Sequence, residues 1–311
     1  MSAMNKLKAL APALLTMLLW GSLYPTVKLG FSVCAVESTA DILLFAGLRF
    51  AVCGAIICIF AAVRDKASFG NVKGSVTPIL ISGLFAIFLH YGFSYIGLSI
   101  TDSSRVALLK QTGALFYVCF SFIFIKNDKP STKKICGAVM GFLGVGALNI
   151  TAEGLSFSIG DLLILFASFC TVFSNVISKR LFERVEPITA TGISQLFGGI
   201  ALLAVGKIMG GTLSFTGAGV FPVLLYICIA SVVSYCIWYG AVKRGELSKL
   251  FIVKFSEPVF ACVIGAIILG EDIWRLQYLA AFLLICGGIV VSNVSFKKKS
   301  RSSCNEETTD R

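Results

Sequence analysis

Ten long apolar runs, separated by short polar connections, organise the chain. They are Ala9–Val27, Ile42–Val63, Val76–Ser99, Val106–Ile125, Ile135–Thr151, Leu162–Ser178, Pro187–Gly206, Phe221–Val242, Leu250–Leu269 and Leu276–Ser295. A helix needs about 20 apolar residues to cross the hydrocarbon of a bilayer. Each run reaches or approaches that length, so the pattern predicts an all-α membrane protein with ten transmembrane helices. The first run is too long for the apolar core of a cleaved signal peptide and lacks a convincing cleavage site, so it is read as the first helix. No connection is long enough to hold a soluble domain.

Composition supports the same class. Hydrophobic residues make up 57% of the 311 residues and charged residues only 14%, against about 25% charged in a typical soluble protein. The basic residues set a direction, because short cytoplasmic loops carry an excess of Lys and Arg. Alternate connections hold Lys6 and Lys8; Arg64, Lys66 and Lys73; Lys126, Lys129, Lys133 and Lys134; Lys179, Arg180 and Arg184; Lys243, Arg244 and Lys249; then Lys297–Lys299 with Arg301. The intervening connections hold only Arg105, Lys207 and Arg275, with Lys28 at a helix end. Both termini are therefore expected in the cytoplasm. The net charge of +11 raises the question of nucleic acid, but the basic residues lie between apolar runs and form no single basic face, so no nucleic acid is expected. Residues 297–311 read as a disordered cytoplasmic tail within reach of anionic lipid. Eleven cysteines are scattered, mostly inside apolar runs, with no CxxC, and His90 is the single histidine. Neither a metal site of standard spacing nor a cofactor is expected.

The chain also repeats itself. Residues Ser99–Lys110 (SITDSSRVALLK) align with Lys243–Lys254 (KRGELSKLFIVK). At the same offset Tyr91 falls on Tyr235, Tyr95 on Tyr239, Lys110 on Lys254, Gly144 on Gly288 and Asn149 on Asn293. Two units follow, 1–152 and 158–296, with five helices each. An odd number of helices makes the second unit enter from the opposite side, which predicts inverted repeats, a recurrent plan of secondary transporters.

Several short motifs carry a family resemblance. They are Trp20-Gly21-Ser22 in the first run, Leu48-Arg49-Phe50 in the second, Glu257-Pro258-Val259-Phe260 and Leu269-Gly270-Glu271 around the ninth, and Gly287-Gly288 in the tenth. With these the chain resembles the EamA branch of the drug/metabolite transporter superfamily over nearly its whole length. In the first half, Ala114 replaces the proline that Pro258 predicts, and Asn127-Asp128 replace Glu271-Asp272. The resemblance implies ten helices, two inverted five-helix repeats and alternating access. It does not imply a substrate, because the branch handles amino acids, other metabolites and drugs.

Charge inside the membrane costs about 2.5–3.5 kcal/mol by insertion scales and points to function by default. Arg49, Lys110, Lys254 and Glu257 lie inside apolar runs. Lys254 and Glu257 are three apart and share a helix face, where they can neutralise each other. Lys110 has Gly113 at the position equivalent to Glu257, so no acid on its own helix offsets it. It is read either as an anion ligand or as a snorkelling lysine roughly 7 Å inside the helix end. Inverted symmetry would set Lys110 and Lys254 at mirrored depths, roughly 15 Å apart along the membrane normal. Related sugar-phosphate carriers use basic residues on the corresponding helices, which by resemblance points to an anionic substrate. Arg49 is frequent in the family and is read as structural, with Asp41, Glu37 or Asp102 as its partner.

The middle of the bundle is rich in polar aromatics. His90, Tyr91, Ser94 and Tyr95 occupy the third run, and Ser234, Tyr235, Trp238 and Tyr239 the eighth. His90/Ser94 and Tyr91/Tyr95 are i, i+4 pairs, each on one helix face. Such residues line substrate pockets or hold helices together by hydrogen bonds. The substrate-binding candidates are Lys110, Lys254, His90, Tyr91, Tyr95, Tyr235, Trp238 and Tyr239, with Tyr24, Gln111, Thr112, Tyr117 and Asn175 as weaker additions. His90 titrates near neutrality when unperturbed and is the candidate for a coupling proton.

The sequence therefore reads as a secondary transporter of a small organic metabolite, amino-acid-like or anionic. It would work by alternating access across the plasma membrane as a monomer or weak homodimer. The alternative is a membrane-embedded enzyme acting on a lipid-linked or amphipathic substrate. That reading lacks paired intramembrane carboxylates, an HExxH motif or a convergent nucleophile, and no catalytic residue is assigned. No Walker motif supplies nucleotide energy.

Overall fold

The computed structural model describes residues 3–113, 116, 132–151, 154–155, 157–243 and 256–293. It is a helical bundle. The helices are α1 (Ala3–Val33), α2 (Thr39–Arg64), α3 (Val76–Gly83), α4 (His90–Ser99), α5 (Ser103–Lys110), α6 (Thr132–Leu148), α7 (Ile159–Leu181), α8 (Pro187–Ile208), α9 (Val220–Lys243), α10 (Ser256–Leu269) and α11 (Leu276–Asn293). A 3₁₀ segment, Lys66–Ser75, precedes α3, and a π-helical segment, Leu84–Leu89, joins α3 to α4. A two-residue antiparallel ladder, β1 (Ile150–Thr151) with β2 (Gly154–Leu155), turns the chain between the two halves.

Each apolar run of the sequence carries at least one of these helices, the third carrying both α3 and α4, and several helices extend past the run into polar sequence. Caps explain the extensions. Ser38 and Asp41 form a reciprocal capping box ahead of α2, and Ser158 and Asp161 form another ahead of α7, each satisfying orphan N–H groups. Glu186 accepts from the Ile188 and Thr189 amides while Pro187 opens α8, where its missing N–H costs nothing.

Among the described residues, five apolar segments are long enough to cross a membrane: Thr39–Arg64, Lys66–Ser99, Ile159–Ser178, Pro187–Ile208 and Val220–Trp238. Shorter apolar helices cover Ile135–Leu148, Ser256–Leu269 and Leu276–Val291. The burial pattern is that of a protein solvated by lipid. Ile59, Val63, Phe221, Ile267 and Leu283 are exposed, while Arg49, His90, Gln111, Ser231, Ser234 and Glu257 are buried. A water-soluble surface rarely carries apolar patches on this scale.

Between lipid-solvated helices, small residues allow the close approach that dispersion needs. The α2–α8 contact is built this way. A Cβ on Gly54 would run into the backbone nitrogen of Leu196, and one on Gly206 would lie 2.8 Å from Ala40 O and Leu44 N. The α6–α11 contact repeats the device: a Cβ on Gly144 would lie 2.7 Å from Ile285 Cγ1, and one on Gly288 would run into the Gly137 carbonyl. Gly21 does the same for α1 and α10, where a Cβ would meet the Glu257 carbonyl at 2.6 Å.

Candidate functional site

The two tyrosines related by the sequence repeat touch each other. Tyr91 on α4 and Tyr235 on α9 share a hydrogen bond between hydroxyls, 3.0 Å long. Around them the aromatic side chains close into a cluster drawn from both halves. Trp20 meets Tyr235 edge-on at 5.8 Å and Trp238 at 5.1 Å, while Phe50 packs on Tyr91 at 4.2 Å and Tyr95 lies 5.9 Å from Tyr91. Four of the candidates, Tyr91, Tyr95, Tyr235 and Trp238, are thus brought together. Trp20 joins them; its only signal in the sequence was its place in the Trp20-Gly21-Ser22 motif.

Lys110 enters this cluster. Its ammonium lies 4.9 Å from the centre of the Tyr91 ring and 5.4 Å from that of Tyr24, positions that give attraction to the negative ring faces. The side chain therefore runs among the rings. Tyr24 in turn donates to Glu257 Oε1 at 2.8 Å. Lys254, the sequence candidate for pairing with Glu257, lies outside the described residues, as does the side chain of Tyr239.

Arg49 is placed differently from its expectation. Its Nε and Nη2 donate to Ser231 Oγ at 3.1 and 2.8 Å, and Nη1 donates to the Tyr95 hydroxyl. Its guanidinium also lies over Phe50 at 4.8 Å and 5.8 Å from both Tyr91 and Tyr95. The proposed acid partners are engaged elsewhere or remote. Asp41 accepts from Ser38 and from the Thr212 amide, Asp102 sits 3.9 Å from Lys28, and Glu37 is exposed. Ser231 is a functional candidate that the sequence reading missed. Its signal was the i−4 spacing from Tyr235, which puts both on one face of α9.

His90 faces away from the tyrosines' hydroxyls. Its Nδ1–H donates to the Ala167 carbonyl on α7 at 2.7 Å, although its ring edge still meets Tyr91 at 4.6 Å. Ser94, one turn on, shares its helix face, and its buried Oγ has no hydrogen-bond partner among the described residues. The i, i+4 pairs of α4 thus split as spacing requires: Tyr91/Tyr95 toward α2 and α9, His90/Ser94 toward α7.

A second polar network closes the bundle at the end where α4 meets α5. Arg105 grips Asp161 with two bonds, Nε to Oδ1 at 2.7 Å and Nη2 to Oδ2 at 2.8 Å, and also donates to Asn149. Glu271 accepts the Ser103 and Ser104 amides at 2.7 and 2.9 Å, a carboxylate at a helix N-terminus where the macrodipole favours it. Both contacts join the first half to the second. Among the described residues no cluster of His, Cys, Asp and Glu could hold a metal ion.

The model of the EamA-like transporter family matches residues 7–150 and again residues 158–293. Two uncharacterized transporters of Bacillus subtilis, YoaV and YvbV, are 25% and 26% identical over 292 residues, spanning 91% and 92% of this chain and 95% and 92% of theirs. A probable amino-acid metabolite efflux pump of Salmonella typhimurium is 23% identical over 301 residues, 92% of this chain and 94% of the pump. One solved crystal structure shares the fold with a TM-score of 0.62 at 22% identity, covering 92% of this chain and 96% of that one.

Proposed function

The chain belongs to the EamA-like transporter family, and on that premise we propose that this multi-pass membrane transporter is a secondary carrier working by alternating access. Its relatives are named as transporters, in keeping with a protein that is no enzyme. Its cargo is a small organic metabolite, amino-acid-like or anionic, carried across the plasma membrane. The chain forms ten spans with both termini in the cytoplasm, as two inverted repeats, 1–152 and 158–296, followed by the polar tail. It acts as a monomer or weak homodimer.

The observation that carries this reading is the hydrogen bond between Tyr91 and Tyr235. Residues equivalent in an inverted repeat can touch only near the axis relating the halves, and carriers of this plan bind at that interface near the midplane. The two matches of the family model, one in each half, and the packing of α2 on α8 and α6 on α11 support the same symmetry. The substrate site then comprises Tyr91, Tyr95, Tyr235, Trp238 and Lys110, completed by Lys254 and Tyr239, with His90 behind it as the candidate for a coupling proton. The Arg105–Asp161 and Glu271 contacts seal one entrance, leaving the opposite side to open.

Purified protein in liposomes tests this. The panel is labelled amino acids and short monocarboxylates. Uptake should saturate and be accelerated by unlabelled solute on the far side, and Tyr91→Ala with Tyr235→Ala should reduce it at least tenfold. Flux that rises linearly with concentration and ignores the far side would refute the carrier.

A further inference from the structure

Two cysteines, one from each half of the chain, meet at the seam. Cys53 lies on α2 and is fully buried. Its thiol lies 4.0 Å from the Cys228 carbonyl on α9 and within hydrogen-bonding reach of the Cys228 thiol. Both are free thiols. The helices are held together at this depth by other groups. Arg49, one turn before Cys53, bonds to Ser231, three residues beyond Cys228, at 2.8 and 3.1 Å. Arg49 belongs to the polar layer that also holds Tyr91, Lys110, Tyr24 and Glu257. On the other side of Cys53, Gly54 packs against the Leu196 backbone and pins this turn of α2 on α8. A disulfide needs sulfurs about 2.0 Å apart on Cα atoms about 4.4–6.8 Å apart, and thiols that already touch have only a short distance left to close.

The two thiols differ in access. Cys228 is half-buried. It shares a face of α9 with Leu225 and Ile229, both exposed, because residues three and four apart lie on one side of a helix. In a membrane that face meets lipid. The pair thus has the build of a redox sensor, an accessible cysteine poised next to a buried one that resolves it.

We propose that Cys53 and Cys228 form an oxidative modification site: a lipid hydroperoxide joins them in a disulfide that ties the two halves together and arrests the carrier. The arrest rests on the carrier reading; the bond does not. The Cys228 sulfur attacks the terminal oxygen of the hydroperoxide. The O–O bond breaks, an alcohol leaves with the thiol's proton, and Cys228 becomes a sulfenic acid. The Cys53 sulfur then attacks the Cys228 sulfur, the S–O bond breaks, and water leaves with the Cys53 proton. Two thiols and one hydroperoxide give one disulfide, one alcohol and one water; the sulfurs lose the two electrons that the peroxide gains. Alternating access moves one repeat against the other, and a covalent bond between α2 and α9, one turn from Arg49 and Ser231, stops that movement. Exchange with a thiol reductant restores it.

The test treats full-length protein in liposomes with cumene hydroperoxide, caps the remaining thiols with N-ethylmaleimide, and reads the peptides by mass spectrometry. The unaltered protein should yield a peptide linked through Cys53 and Cys228. Saturable uptake of labelled amino acids or short monocarboxylates should fall at least tenfold on treatment and return after dithiothreitol. Cys53→Ala and Cys228→Ala should each keep at least half their uptake under the same treatment. Absence of the linked peptide would overturn the proposal while leaving the carrier intact. So would a linked peptide with unchanged uptake, or an equal loss of uptake in both variants. Should a variant fail to fold, the linked peptide and the recovery with dithiothreitol decide on the unaltered protein alone. Absence of saturable uptake for every compound would overturn the carrier reading and the arrest with it, and the linked peptide would still decide the bond.

Discussion

Replacing Arg105 with Gln isolates the seal between the two halves. Asp161 is fully buried and takes two short bonds from Arg105, whose own side chain is 24% exposed. After the substitution the Asp161 carboxylate keeps its bonds from Ser158, whose amide donates at 3.0 Å and whose hydroxyl also reaches it. Removing one partner of a buried pair costs about 3–5 kcal/mol, because the remaining charge stays out of water. Partial exposure of Arg105 favours the lower end, about 3 kcal/mol. Where that cost appears depends on whether the pair exists in every state. In a pair confined to the closed end of an alternating-access cycle, about 3 kcal/mol shifts the closed-to-open ratio on the order of 100-fold and barely lowers the melting temperature. Hydrogen exchange reads the difference. The Ser103 and Ser104 amides, held by Glu271, should exchange much faster in Arg105→Gln, as should the first turn of α7. Asp161→Asn added to it should recover part of the protection, since no charge is then stranded. A melting temperature reduced by the full amount, with exchange at Ser103 and Ser104 unchanged, would refute the seal and make the pair a permanent strut.

Three further outcomes are expected. Gly54→Ala should cost about 1–3 kcal/mol by overpacking, seen as a lower melting temperature in detergent, because its Cβ meets the backbone of Leu196; Gly70→Ala, with nothing within 4 Å, should be nearly neutral. His90→Gln should abolish the pH dependence of uptake if His90 carries the coupling proton, and pH dependence equal to the unaltered protein would remove it from that role. Glu257→Gln keeps an acceptor for Tyr24 but removes the negative charge of the layer, so it should lower the KM for a carboxylate several-fold while slowing release; a raised KM would show that Glu257 helps hold the substrate.

The helices were legible because their signal is local. Apolar runs of membrane length and capping pairs such as Ser158 and Asp161 need only neighbouring residues to be read. The cluster was partly legible for another reason: the repeat offset marks Tyr91 and Tyr235 as equivalents, and the structure joins their hydroxyls. Arg49 was not legible in the same way. Its spacing offered acids along the chain, but Asp41 is drawn off to cap α2 and to the Thr212 amide, and the true partners, Tyr95 and Ser231, come from helices far away in sequence. His90 was half legible. Its turn of the helix predicts which residue shares its face, but not which helix that face meets.

The π-helical segment Leu84–Leu89 decides which face that is, and it can be tested by removal. It lies directly ahead of His90, and such segments, with bonds from i to i+5, are common at functional sites. Ahead of it, Gly83 seats α3 against the Ser194 carbonyl of α8; behind it, Tyr91 and Tyr95 turn to α2 and α9. The wide turn absorbs one residue without shifting α3, so deleting Ala86 should restore ordinary α-helical bonds. Because the wide turn carries that extra residue, its loss leaves α4 in phase with α3. Inserting one alanine after Leu89 in the unaltered chain instead rotates everything beyond by about 100°, from 3.6 residues per turn, and lengthens the span by only about 1.5 Å. That rotation takes Tyr91 from Tyr235 and carries the i, i+4 pairs to new neighbours. The deletion variant should therefore melt within a few degrees of the unaltered protein and keep saturable uptake, whereas the insertion variant should remain monodisperse in detergent yet show none. Uptake at the unaltered rate in the insertion variant would mean that α4 can rotate without loss, and that the Tyr91–Tyr235 contact is packing and not the centre of the transport site.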